Sequence, residues 1–270
     1  MTAPSTLERV LKTRRAALAA VLTVAVAASL AGCAGDRGPF PTTDPTTPPS
    51  AEEPVVTPTP TPTPTPTFDK AALSIDDPAS LWVVTNKLRP LDPQDYAAPD
   101  LVTVPVPFAN PPMLRAEASE AVVTMFAAFT AETGKKMQSQ SAYRSYGAQV
   151  RVYNGWVNSL GQAAADLTSA RPGHSEHQTG LSIDISSVPA ECVLKACFGD
   201  TAQGAWLAEN AWKYGFILRY PNGMTDITGY EFEPWHYRYV GKALAAEMRS
   251  TGVATLEEFF GLPAAPTYAK

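Results

Sequence analysis

An α+β domain is the fold class this 270-residue sequence predicts, and three observations predict it. Long alanine-rich segments with spaced apolar residues come first, short alternating segments follow, and no stretch repeats internally. From Phe68 to Lys270 there are about 200 residues, enough to bury one core in which helices pack on a small antiparallel sheet. Taken in order, residues 69 to 112 read as a proline-broken wrap, including Asn86-Lys87-Leu88-Arg89-Pro90, to which the sequence assigns no role. Met113 to Thr133 has helical period and stops at Gly134. A strand is expected to lead to Ala142-Tyr143-Arg144, followed by helices over Gly147 to Leu167 and Thr201 to Lys213, the latter stopped near Gly215. Phe216 to Tyr220 and Trp235 to Val240 read as strands, and Lys242 to Arg249 as a closing helix.

The chemistry concentrates in two clusters. His177 and Asp184 lie seven residues apart in a chain with three histidines, and Glu233-Pro234-Trp235-His236 adds a second imidazole and a free carboxylate. A catalytic zinc takes three nitrogen or oxygen ligands and keeps one position open for water, whose pKa falls toward neutrality there. His177, Asp184 and His236 fill those three places, and Glu233, three positions before His236, can reach the water as a general base. That is the equipment of a hydrolase. Residues seven apart on an unbroken strand face opposite ways, so the first pair needs an interruption, which Thr179-Gly180 can supply. Leu181 to Ile185 then alternates as a half-buried strand with Asp184 on its polar face, and Pro234 rules out a regular central strand through the second cluster. His174, after Pro172-Gly173, is read as a loop residue because the other three ligands suffice.

The pattern Ser175-x-His177, Asp184, then Glu233-x-x-His236 resembles the D-alanyl-D-alanine carboxypeptidases of the VanY type, zinc peptidases that trim peptidoglycan stems. The stretches 172–180 and 233–241 both carry the resemblance. So do Ser141-Ala142-Tyr143-Arg144-Ser145, residues 214–221 and Thr255-Leu256-Glu257-Glu258-Phe259, so it covers roughly residues 80 to 262. It implies that His177, Asp184 and His236 hold Zn2+, that Glu233 is the base, and that Arg144 steadies the oxyanion. Ser175, Gln149 and Trp235 match positions lining the family's substrate cleft. The implied reaction is removal of the terminal D-alanine from a stem peptide. L,D-carboxypeptidase or endopeptidase cleavage by the same site stays open, as does a non-catalytic wall-binding module, although the free Glu233 argues against a closed structural site.

The first residues fix the expected compartment. Arg9, Lys12, Arg14 and Arg15 precede an uncharged run from Ala16 to Gly32, and Leu30-Ala31-Gly32-Cys33 has the form of a lipobox. Residues 1–32 are therefore expected to be a lipoprotein signal peptide, with Cys33 lipidated and the protein anchored to the membrane facing the cell wall. Residues 33–67 are expected to be a linker; from Pro39 to Pro66 it is dominated by proline and threonine and should be extended, with a reach of the order of 80 to 90 Å at about 3 Å per residue. Cys192 and Cys197 remain as an even pair in an exported domain and are expected to form a disulfide. The net charge of −5 becomes more negative once the basic leader is removed, and no Lys/Arg stripe stands out, which excludes nucleic acid as the expected partner. A monomer acting on peptidoglycan stem peptide is the expected form.

Overall fold

Two prolines set the entry to the first helix. Pro111-Pro112 lack N–H donors, and Met113–Arg115 after them is held as a strand, β2, by antiparallel pairing to β1 (Leu101–Thr103). The helix expected from Met113 therefore begins only at Ala116. In the computed structural model, which describes residues 68–269 as part of one compact unit, that helix is α1 (Ala116–Thr133). It buries Ala118, Val122, Met125, Phe126 and Phe129, one stripe at helical spacing, and the buried Val, Met and Phe side chains stabilise by about 1.5–3 kcal/mol each. Gly134 ends it at φ 68°, a left-handed cap whose N–H donates to the Thr130 carbonyl.

β3 (Lys136–Ser141) runs up to Ala142-Tyr143-Arg144 as expected. The segment read as one helix from Gly147 to Leu167 is two, α2 (Tyr146–Leu160) and α3 (Gln162–Thr168), because Gly161 sits between them at φ 79°, outside helical space. Ser145 caps α2 by accepting from the Ala148 N–H. β4 (Ser182–Val188) follows, then α4 (Ala202–Asn210), which gives way to a 3-10 turn at Ala211–Tyr214 rather than continuing to Lys213. β5 (Phe216–Leu218), the single turn α5 (Thr225–Thr228), β6 (His236–Tyr239), α6 (Lys242–Thr251) and α7 (Leu256–Phe260) complete the order. Both late strands are shorter than their alternating runs.

The main sheet is antiparallel, in the order β3-β4-β6-β5, with Asp184 opposite His236 and Ser182 opposite Arg238. β4 is interior to the sheet and buried from Ser182 to Ser187, so its polar face is not solvated: Asp184 lines the functional site, Ser182 donates to Glu176 and Ser186 to Gln140. One apolar cluster joins α1 to the sheet through Phe129, Met137, Ile183 and Phe216, while a second joins β5 and α6 to Phe259 of α7. The wrap supplies both, Val83, Leu91 and Val104 to the first and Trp82 and Val84 to the second, and the Trp82 indole N–H donates to the Val240 carbonyl at 3.0 Å. No helix of the described residues is long and apolar enough to cross a membrane. The expected signal peptide, the lipidated Cys33 and the Pro/Thr linker lie outside the described residues.

Candidate metal centre and active site

Three backbone devices bring the ligands together. His177 lies on a 3-10 turn, Glu176–Thr179, that ends at Gly180 with φ 70°. The left-handed conformation favours glycine, and a Cβ there would also lie 2.7 Å from Leu101 Cδ2 and push that side chain aside. This is the interruption the seven-residue spacing demands. The sheet then sets Asp184 on β4 directly across from His236 on β6. Glu233 is returned to them by a tight turn in which the His236 N–H donates to the Glu233 carbonyl at 3.0 Å.

His177, Asp184 and His236 are buried and offer donor atoms all within 4.8 Å of one another. His177 Nε2 lies 3.3 Å from Asp184 Oδ2, and His236 Nδ1 lies 3.2 Å from Asp184 Oδ1. Tautomers follow from the outer partners. His177 Nδ1 is 2.7 Å from the Ala142 carbonyl, which only accepts, so Nδ1 carries the proton and Nε2 is left for a metal. His236 Nε2 is 3.4 Å from the Glu176 carboxylate, which leaves Nδ1 as its ligand atom. Without a metal the site retains a proton: burial resists charge on His236, but hydrogen bonds to Asp184 and Glu176 outweigh it and raise its pKa to about 9.

Glu233 Oε2 lies 3.7 Å from His236 Nδ1. Burial, reinforced by the Asp184 charge, raises its pKa to about 8, and a dication at the neighbouring ligands would favour the carboxylate again. Arg144 is positioned by its own N–H, which donates to the His177 carbonyl at 3.1 Å. Arg144 lines the cleft and is half-buried, with its Nε buried and lacking a partner among the described residues, as suits a group that awaits a substrate oxygen. The cleft holds about 620 Å³.

The weaker sequence assignments divide. Ser175 and Trp235 line the cleft. Gln149 does not: it is fully buried behind the wall, and its amide donates to the Ala170 carbonyl at 2.6 Å and to Ser169 Oγ at 3.3 Å, bracing two residues that do line it. α2 turns that face inward. His174 stays outside the ligand group, with Nδ1 2.7 Å from the Asn86 carbonyl. The disulfide between Cys192 and Cys197 is formed.

Sequence reasoning missed Glu176. Its Oε1 accepts from Arg219 Nε at 2.8 Å and from Arg238 Nη1 at 3.0 Å, all three side chains being fully buried. Burial alone would raise its pKa, yet the two guanidiniums hold it well below the usual carboxylate range. Arg219 also forks onto Glu257 at 2.7 and 2.9 Å, and Asn86 of the wrap donates to Glu257 at 3.0 Å. The chain of contacts thus runs from α7 and the wrap to the back of His236. A charged residue adjacent to His177, and an arginine inside the apolar strand Tyr237-Arg238-Tyr239, were the available signals.

Comparison with known proteins agrees with this geometry. The family described as "VanY: D-alanyl-D-alanine carboxypeptidase" matches residues 112–242. The putative carboxypeptidase YodJ of Bacillus subtilis is 43% identical over 192 residues, covering 69% of each chain. The chain belongs to the VanY family. Among solved structures, the LdcB LD-carboxypeptidase superposes with a TM-score of 0.63 at 43% identity, over 68% of this chain and 87% of that one. A mutant of the vancomycin-resistance D,D-pentapeptidase VanY in complex with Zn(II) superposes with a TM-score of 0.54 at 30% identity, over 66% of this chain and 97% of that one. This VanY-family protein is accordingly a carboxypeptidase whose cofactor is Zn2+, and the His177, Asp184 and His236 group is the place the described residues offer for it.

Proposed function

We propose that the protein is a D,D-carboxypeptidase that releases the terminal D-alanine from peptidoglycan stem peptides, working outside the cytoplasm on a lipid anchor at Cys33. The observation that carries the reading is a buried His177, Asp184 and His236 group with an unused carboxylate, Glu233, 3.7 Å from one ligand and with Arg144 in the same cleft. Zinc, when bound, supplies Lewis acidity and makes a water acidic enough to ionise near neutral pH. Arg144 holds the scissile carbonyl oxygen and stabilises the charge that gathers on it as the carbon becomes tetrahedral. Glu233 takes a proton from the attacking water and returns it to the leaving D-alanine nitrogen, so the amine departs neutral. Glu176 keeps His236 in the orientation that leaves Nδ1 to the metal. Ser175 and Trp235 line the path of the peptide.

An L,D reading has its own support: the LdcB LD-carboxypeptidase is 43% identical, against 30% for the D,D-pentapeptidase VanY. Mass spectrometry of the zinc-loaded protein with pentapeptide and tetrapeptide stems, each with and without chelator, separates the two. D,D action converts pentapeptide to tetrapeptide and stops; L,D action converts tetrapeptide to tripeptide. Chelator-resistant turnover would end the metallopeptidase reading.

A further inference from the structure

We propose that the disulfide-closed loop Cys192–Cys197 is a specificity wall of the cleft, and that Lys195 on it receives a carboxylate carried by the substrate on the amino-terminal side of the scissile bond. The inference rests on the carboxypeptidase reading and deepens it. Four consecutive loop residues, Val193, Leu194, Lys195 and Ala196, line the same cleft as Arg144 and Glu233.

The loop is held as a fixed surface. The disulfide joins its ends, and Cys192 and Leu194 keep positive φ values of 51° and 49°, which side chains bearing a Cβ adopt only where their surroundings impose it. Inside it the Lys195 N–H donates to the Cys192 carbonyl at 3.1 Å. Just beyond it the Phe198 N–H donates to the Lys195 carbonyl at 2.9 Å, and the Phe198 ring is buried in the core. Nothing in that anchoring uses the Leu194 or Lys195 side chain.

What those side chains offer is a site of mixed character. Leu194 is 43% exposed and Trp156, at the same cleft, is 38% exposed, so two large apolar surfaces face the opening without protein cover. Lys195 is exposed and makes no ion pair with an acid among the described residues. Away from the metal centre and Arg144 the other charge on the lining is Glu231, beside Leu167, so Lys195 is the cation that this outer part of the cleft offers to an anion. A carboxypeptidase holds only one residue beyond the bond it cuts, whereas about 620 Å³ is the room a drug-sized ligand needs. The excess therefore houses the acyl side: an extended, partly aliphatic peptide bearing a free carboxylate.

The test uses the full zinc-loaded protein and matched stem peptides that differ only in one upstream group, free carboxylate or carboxamide. The ratio of kcat/KM for the two is measured within each variant, which cancels changes common to both. A solvent-exposed pair of this kind contributes a few-fold effect, so wild type should favour the carboxylate by about threefold. Lys195→Ala should bring the ratio to about one, and Lys195→Glu below one. A wild-type ratio of one, or a Lys195→Ala ratio equal to wild type, overturns the assignment of Lys195 while leaving the peptidase reading intact. Absence of D-alanine release from every peptide by wild type overturns that reading, and this inference with it.

Discussion

Replacing Glu176 by glutamine removes one negative charge from between two buried guanidiniums while keeping side-chain size. Arg219 would retain Glu257, but Arg238 would lose its one carboxylate partner among the described residues and keep only neutral acceptors, the amide oxygen and the Leu81, Val83 and Tyr239 carbonyls. Breaking one partner out of a buried pair costs about 3–5 kcal/mol, a large part of the roughly 5–15 kcal/mol that holds a domain together. For a domain of about 200 residues that lowers the melting temperature by about 6–20 °C. Loss of the group behind a ligating histidine weakens metal binding by about 10–100-fold. The two effects are read separately, by thermal unfolding of the metal-free protein and by zinc competition against a chromophoric chelator. The pH sign adds a third check. The Glu176 pKa is depressed in the folded protein, so its contribution is full above the ordinary carboxylate pKa and is lost as pH falls below it; the variant should have a flatter acid arm of stability. Wild-type zinc affinity together with a melting shift of less than about 2 °C would refute the reasoning.

Glu233→Ala should bind zinc and lose turnover, whereas His236→Ala should lose both; metal analysis beside the peptide assay checks this, and normal turnover in the first variant removes Glu233 from its role. Zinc binding must displace the proton from His236, whose pKa without metal is about 9, so affinity should rise about tenfold per pH unit up to that value. Calorimetry in buffers of different ionisation enthalpy should then report between one and two protons released at pH 7.5, because Glu233, with a metal-free pKa of about 8, also returns to carboxylate; a value near zero contradicts the linkage. Cys192→Ser with Cys197→Ser opens a loop of sequence separation 5 and should cost about 2 kcal/mol in denaturant unfolding.

The centre was legible because metal chemistry restricts residue types and the chain has three histidines. Even the interruption at Gly180 could be deduced, from the parity of a strand. The arginine network was not legible, since Arg219 and Arg238 lie 43 and 62 residues from Glu176 and only the sheet brings them together. Gln149 shows a different limit: its position matches a motif, but which side of a helix wall it occupies is decided by packing against Ser169 and Ala170. The helix boundaries failed at Arg115 and Gly161 for local reasons, a strand partner in one case and a positive φ in the other. The secretory and lipid-anchor expectations rest on residues 1–67, outside the described part.

The wrap that precedes the family match has a practical consequence. Phe68 stacks on Trp82 at 5.5 Å, Lys70 donates to the Phe259 carbonyl at 2.6 Å, and Leu81 and Val83 give their carbonyls to Arg238 behind the centre. A chain that began at Phe68 would keep all of these contacts. A chain begun at residue 112, where the family match starts, would lose them and leave Arg238 without the Leu81 and Val83 carbonyls, so the working unit reaches well ahead of the matched segment.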